Sequence, residues 1–202
     1  MKKEISAMIL FGSIWGLLEC SLGDYLHNIH FFAGVIMTSI AFILMAYTRY
    51  AYNMRGMQMG MAFIASIMRQ FNPVGGCLLC ASIAIFIEGI VFEIIWIIPW
   101  QKEESKIIKF GIGAISGYLI YSIGYISTQI LTPMIKSKFY LRDLLSNMPA
   151  IFAEATYALL IGAISLPIIM ALPKEMKIMD KLYYTASSII IAICWVAVIA
   201  GI

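Results

Sequence analysis

The chain has 202 residues, of which 62% are hydrophobic and 12% charged, with a formal charge of +3 at pH 7 and a mean hydropathy of +0.91. Soluble domains lie closer to half apolar and a quarter charged, so this balance excludes an ordinary water-soluble fold and reads as an integral membrane protein. No nucleic-acid motif, Walker loop or dinucleotide fingerprint is present, and four cysteines in so apolar a chain do not make a disulfide framework.

A helix needs about 20 apolar residues to cross ~30 Å of hydrocarbon. The first such segment, 5–22, lies in MKKEISAMILFGSIWGLLECSLG. No small-x-small cleavage site follows it, so it is read as a span and not a signal peptide. Gly12, Gly16, Glu19 and Gly23 recur in it at offsets of four, three and four, within about 60° of one another on a helical wheel. A stripe of small residues lets a second helix approach closely in lipid. Gly12 and Gly16 are therefore candidates for contact with a partner helix, with packing inside the chain as the plainer reading. The stretch SLGDYLHNIHFF (21–32) follows, with Asp24, His27 and His30 and no lysine or arginine; it reads as a loop. A second span covers 32–48.

Residues 56–69, GMQMGMAFIASIMR, are apolar but short, roughly 21 Å of helix at 1.5 Å per residue. Whether they cross sets the topology of all that follows. If they cross and the N-terminus is cytoplasmic, Lys2, Lys3, Arg49, Arg55, Lys102, Lys106, Lys109, Lys174, Lys177 and Lys181 lie inside, ten in all, against Arg69, Lys136, Lys138 and Arg142 outside. If they do not, the split becomes eight to six. The positive-inside rule favours crossing. Further spans are expected at 75–98, 110–133, 148–172 and 183–202, so residues 1–202 form one all-α integral membrane domain, a polytopic bundle of six to seven spans in the cell membrane.

With that topology the polar knot in IMRQFNPVGGCLLC (67–80) becomes a tight outer turn, broken by Pro73, Gly75 and Gly76. It shares a membrane level with the 21–32 loop. Ionisable residues within spans are Glu19, Arg69, Glu88, Glu93 and Glu154; such groups are costly in hydrocarbon and tend to face a partner or a water-filled site. Arg69 paired with Glu154 is the structural reading, and Glu93 reaching the inner headgroups is the plainer reading for that residue. His27 and His30, three apart, are close enough to ligate one metal ion with nearby carboxylates, though loop histidines are commonly just solvated. Cys77 and Cys80 form C-x-x-C at the start of a helix, a position that favours the reactive thiolate; small residues packing the start of that helix are the alternative. Gly113 and Gly117 repeat the small-residue spacing.

The segments FGSIWGLLECSLGDYLH (11–27) and MRQFNPVGGCLLCASIAIFIEG (68–89) give this layout a resemblance to the substrate-binding S components of energy-coupling-factor (ECF) transporters. The resemblance covers about residues 5–172, and the seventh segment, 183–202, departs from the family's usual six spans. It implies a small helical protein that captures vitamins, their precursors or metal ions from outside, lidded by its first and third loops. It also implies a transmembrane coupling subunit, driven by ATPase subunits, that docks on small residues of helix 1, here Gly12 and Gly16. Substrate would be approached by Asp24, His27, His30, Arg69 and Asn72, with Glu19, Glu88 and Glu154 lining the pocket. No intrinsic cofactor is expected, and no enzymatic activity; the substrate is vitamin-like, a tetrapyrrole or corrinoid, or a metal ion. The alternatives are a thiol–disulfide oxidoreductase using Cys77 and Cys80 or an ion-coupled carrier using the buried glutamates.

Overall fold

The structure is a computed structural model that describes residues 2–73, 77–98, 100, 105–135, 141–173 and 180–201. Helix α1 (Lys2–Leu18) runs through a π-helical turn (Glu19–Gly23) into the short α2 (Asp24–Asn28). It is followed by α3 (Ala33–Tyr52), α4 (Met57–Phe71), α5 (Leu78–Ile95), α6 (Lys106–Ile135), α7 (Leu141–Ala171) and α8 (Asp180–Ala200). The described residues contain no strand. Six of these helical stretches are long and apolar enough to cross a membrane; α4, with 15 residues, is the short one. The chain is an all-α multi-pass membrane protein.

The side-chain contacts give each helix its direction. Thr38 meets Glu88 and Arg49 meets Glu93, so α3 and α5 run parallel. Gln58 at the start of α4 reaches Thr48 and Glu93, while Arg69 at its end reaches Asp24, so α4 runs the opposite way between those two clusters. Trp96 meets Ser116 while Glu88 packs on Gly124, and Gly113 faces Gly162 while Gly117 faces Ala158, which continues the alternation through α6 and α7. Lys3 pairs with Asp180, and Ser13 accepts from Trp195, so α8 lies parallel to α1. Short as it is, α4 joins the end holding Arg49 to the end holding Asp24, and Asn72 just after it lies against α2.

The α4 sequence explains its central place. Met57, Met61, Ala62, Ala65, Met68 and Arg69 are buried, while Met59 and Phe63 are exposed, a helical stripe at spacings of three and four. The glycines of α1 meet this stripe. A Cβ on Gly12 would lie 2.9 Å from the Met61 carbonyl oxygen, and one on Gly16 would lie 2.8 Å from Met68 Sδ. Both glycines are thus covered by α4, and the expectation that they contact a partner helix is corrected: the close approach they permit is used within the chain. The same device joins α6 to α7, where a Cβ on Gly117 would stand 2.3 Å from the Ala158 carbonyl oxygen.

At the end opposite Asp24, the structure revises two further expectations. Arg49, read as a residue of an inner loop, is 1% exposed. It donates to Glu93 Oε2 (2.9 Å), Met54 O (2.8 Å) and Trp96 O (3.0 Å). Glu93 is therefore held by Arg49, and also accepts from the Gln58 backbone N–H at 3.1 Å, rather than reaching the headgroups. Both terminal nitrogens of the guanidinium thus find acceptors within the chain, which the bundle interior requires.

Gly117→Leu should overpack the α6–α7 contact and cost about 1–3 kcal/mol, seen as a lower melting temperature of the detergent-purified protein. Gly111→Ala, where an added Cβ meets nothing within 4 Å, should leave that temperature unchanged or raise it.

Candidate functional site

The end of the bundle holding Asp24 encloses a cavity of about 360 Å³. Its walls come from five elements: the π turn with α2, the first turns of α3, the end of α4, α5 with the cysteines just before it, and the last turns of α6. Glu19, Asp24, His27, Arg69 and Glu88 all line it. Residues of α1–α2 and α4–α5 that the sequence placed at one level are thus brought together.

The segment 19–28, expected as a loop from Ser21 onward, is helical. A π turn shifts the hydrogen-bonding register, and two side chains from α4 and the residue after it dock on it. Arg69 Nη1 donates to the Glu19 carbonyl oxygen at 3.2 Å, and Asn72 Nδ2 to the Cys20 carbonyl oxygen at 3.3 Å. Arg69 also grips the Asp24 carboxylate with both terminal nitrogens, at 2.8 and 2.5 Å, and Asn72 adds a bond of 2.8 Å to the same carboxylate. Asp24 thus begins a helix and anchors α4 to α2. This pairing corrects an expectation: Arg69 binds Asp24 and not Glu154.

The two glutamates on the cavity wall are held differently. Glu19 Oε1 accepts from the indole of the fully buried Trp15 at 3.1 Å. Glu88 is 5% exposed, and its Oε1 accepts from Thr38 Oγ1 at 2.5 Å. Glu88 is eleven positions after Cys77, placing it roughly 16 Å along the helix from that cysteine at 1.5 Å per residue. Cys77 and Cys80 are joined as a disulfide on the wall, with Cys77 exposed; they are not buried packing residues.

Three predicted site residues stand apart. His30 is exposed and does not line the cavity; its ring lies 6.5 Å from that of His27. The described residues offer no group of three His, Cys, Asp or Glu able to hold a metal ion. Asn72, 3% exposed, acts through Asp24 from behind the wall. Glu154 is on α7, which contributes nothing to the wall, and it accepts from Tyr121 instead. Tyr121 stacks on Tyr125 at 4.9 Å, and Tyr125 does line the cavity, so Glu154 sits behind an aromatic pair. Gly75 and Gly76, expected to cap the site, lie outside the described residues.

The sequence reading missed the contribution of α3 and α6. Thr38 and Gly34 begin α3; Tyr125, Thr128, Gln129 and Thr132 end α6. A signal was available: in an otherwise apolar helix, Tyr121, Tyr125, Thr128 and Thr132 recur at spacings of four, three and four, one polar face. Compared with protein families, with curated proteins and with solved structures, the chain finds no match. The site's geometry alone carries its functional reading.

Breaking the anchor tests its role. Asp24→Ala leaves a buried guanidinium without its anion and should cost about 3–5 kcal/mol, measured as a lower unfolding midpoint. Adding Arg69→Met in the same chain should recover part of that loss, because the uncompensated charge goes with it.

Proposed function

We propose that the protein is a capture subunit of an importer, binding a small molecule in this cavity without catalysis of its own. The carrying observation is a cavity of about 360 Å³ among membrane helices, with polar groups from five elements converging on apolar walls. That volume is at the small end of ligand sites, which run to roughly 300–1,000 Å³. It suits a compact organic molecule better than a tetrapyrrole or corrinoid macrocycle. The ECF-like reading supplies partners by analogy: a coupling membrane subunit and ATPases that reset the site. With Gly12 and Gly16 covered by α4, such a coupling subunit would dock on another surface. The N-terminus is assigned to the cytoplasm and the cavity end to the outside of the cell membrane, in line with the distribution of lysine and arginine.

Under this reading, protein purified without ATP retains a small molecule from a cell extract, and Glu88→Gln weakens that retention while the melting temperature of the empty protein holds. Unchanged retention in both Glu88→Gln and Glu19→Gln would place the binding elsewhere. The orientation has its own test. In a background lacking the native cysteines, a membrane-impermeant thiol reagent added to intact cells should label Asn28→Cys and Pro73→Cys but not Ser105→Cys.

A second reading rests on the Cys77–Cys80 disulfide facing the same cavity. There the pair would exchange with a substrate dithiol and pass two electrons to a quinone. Cys77→Ser with Cys80→Ser separates the two: capture survives the double change, while oxidoreductase activity does not.

A further inference from the structure

We propose that the cavity selects small organic cations, with the ligand's amino or ammonium group bound by Glu88 and Glu19; this deepens the capture reading and rests on it. The charge inventory of the wall leads there. Three carboxylates and one guanidinium line the cavity, with His27 exposed at its rim. Asp24 and Arg69 neutralise each other through a bidentate pair, and Asn72 completes the Asp24 shell. Among the described residues, the one permanently charged cation on the wall is therefore occupied. Arg69 Nε has no partner among the described residues, but that atom is sealed from solvent and does not offer itself to a ligand.

Glu19 and Glu88 are each left half satisfied. One oxygen of each accepts from a neutral donor, Trp15 or Thr38. The second oxygen of each has no partner among the described residues, and it is not among the sealed polar atoms, so it reaches the cavity space. Glu88 is the decisive residue: a carboxylate 5% exposed, with an open oxygen and no cation beside it among the described residues. A buried carboxylate without a positive partner is costly. A ligand that brings the positive charge converts that cost into binding energy, and one that brings a negative charge adds to it.

The rest of the wall fits the same class. The Tyr125 ring presents a π system, and aromatic faces attract ammonium groups. Pro133, also on the wall, lies inside α6 and supplies no N–H to the Gln129 carbonyl one turn earlier, so the helix donates nothing there to compete with a ligand. Met37, Ala84 and Ile85 give apolar surface for a carbon skeleton. A bare metal ion fits less well, because the described residues form no group of three metal-ligating side chains and the space of about 360 Å³ far exceeds an ion.

The test uses sets of probes matched in shape and differing in charge, titrated by calorimetry into the full-length detergent-purified protein. One set is phenethylamine, 2-phenylethanol and 3-phenylpropionate; the other is 1,4-diaminobutane, 1,4-butanediol and succinate. The amine of each set should bind tightest. Its advantage over the neutral member should fall by on the order of thirty-fold in Glu88→Gln, the lower end of what losing one partner of a buried charge pair costs. A neutral or anionic member binding as tightly as its amine overturns the cation assignment and leaves the capture reading standing. So does an advantage that survives Glu88→Gln and Glu19→Gln together, or elemental analysis showing a metal ion as what the protein retains. If no probe binds and nothing is retained from a cell extract, the capture reading falls with it.

Discussion

The bidentate pair between Arg69 and Asp24 is the joint on which the cavity end of this protein depends. A guanidinium 5% exposed has to find acceptors within the chain, since hydrocarbon offers none. Arg69 finds them on one stretch of backbone and side chain, the Glu19 carbonyl and the Asp24 carboxylate. Those two groups lie five residues apart, across the π turn. The turn and the arginine thus support each other, and Asn72 adds a second hold on the same carboxylate. Because that anchor fixes α4 against α2, Glu19 and the residues of the following turn stay on the wall of the cavity.

The opposite end of α4 is built on the same logic with different residues. Arg49 and Glu93 form the ion pair there, and the Gln58 backbone N–H at the first turn of α4 joins Glu93. A helix of 15 residues that is clasped at both ends by buried charges needs little length to hold its place. The two clasps also divide the labour of the ionisable residues. Arg49, Glu93, Arg69 and Asp24 satisfy one another, and Glu154 is bonded to Tyr121. Glu19 and Glu88 keep open oxygens in the cavity, and the functional readings rest on them.

Chemistry and rigidity meet on α5. Its first turns carry the Cys77–Cys80 disulfide, Glu88 lies deeper, and Glu93 is part of the far clasp. Gly89 lets α4 come close, with a Cβ there 2.3 Å from that of Ala62. One helix therefore links the mouth of the cavity, its floor and the opposite end of the bundle. A ligand drawn to Glu88 would act on the helix that carries both the disulfide and part of the far clasp.

The apolar runs, the helical class and the number of long helices were legible in the sequence because each follows from local composition and length. The alternation of helix direction was legible too, from where lysine and arginine fall. That Glu19 and Arg69 meet beside the 21–32 stretch could be anticipated from their depth along the helices. The same depth argument also put Glu154 there, and it left Glu88 deeper in the membrane. Which of them are free was another matter. Asp24 and Glu19 look equally available as letters, yet one is saturated by Arg69 and Asn72 while the other is held by a single indole. Gly12 and Gly16 look like a docking stripe, yet α4 covers them. Arg49 looks like a loop residue and is buried. Periodicity and hydropathy are properties of single helices, and they determine what each helix is; pairing depends on the rotation and register of one helix against another, which only tertiary packing decides.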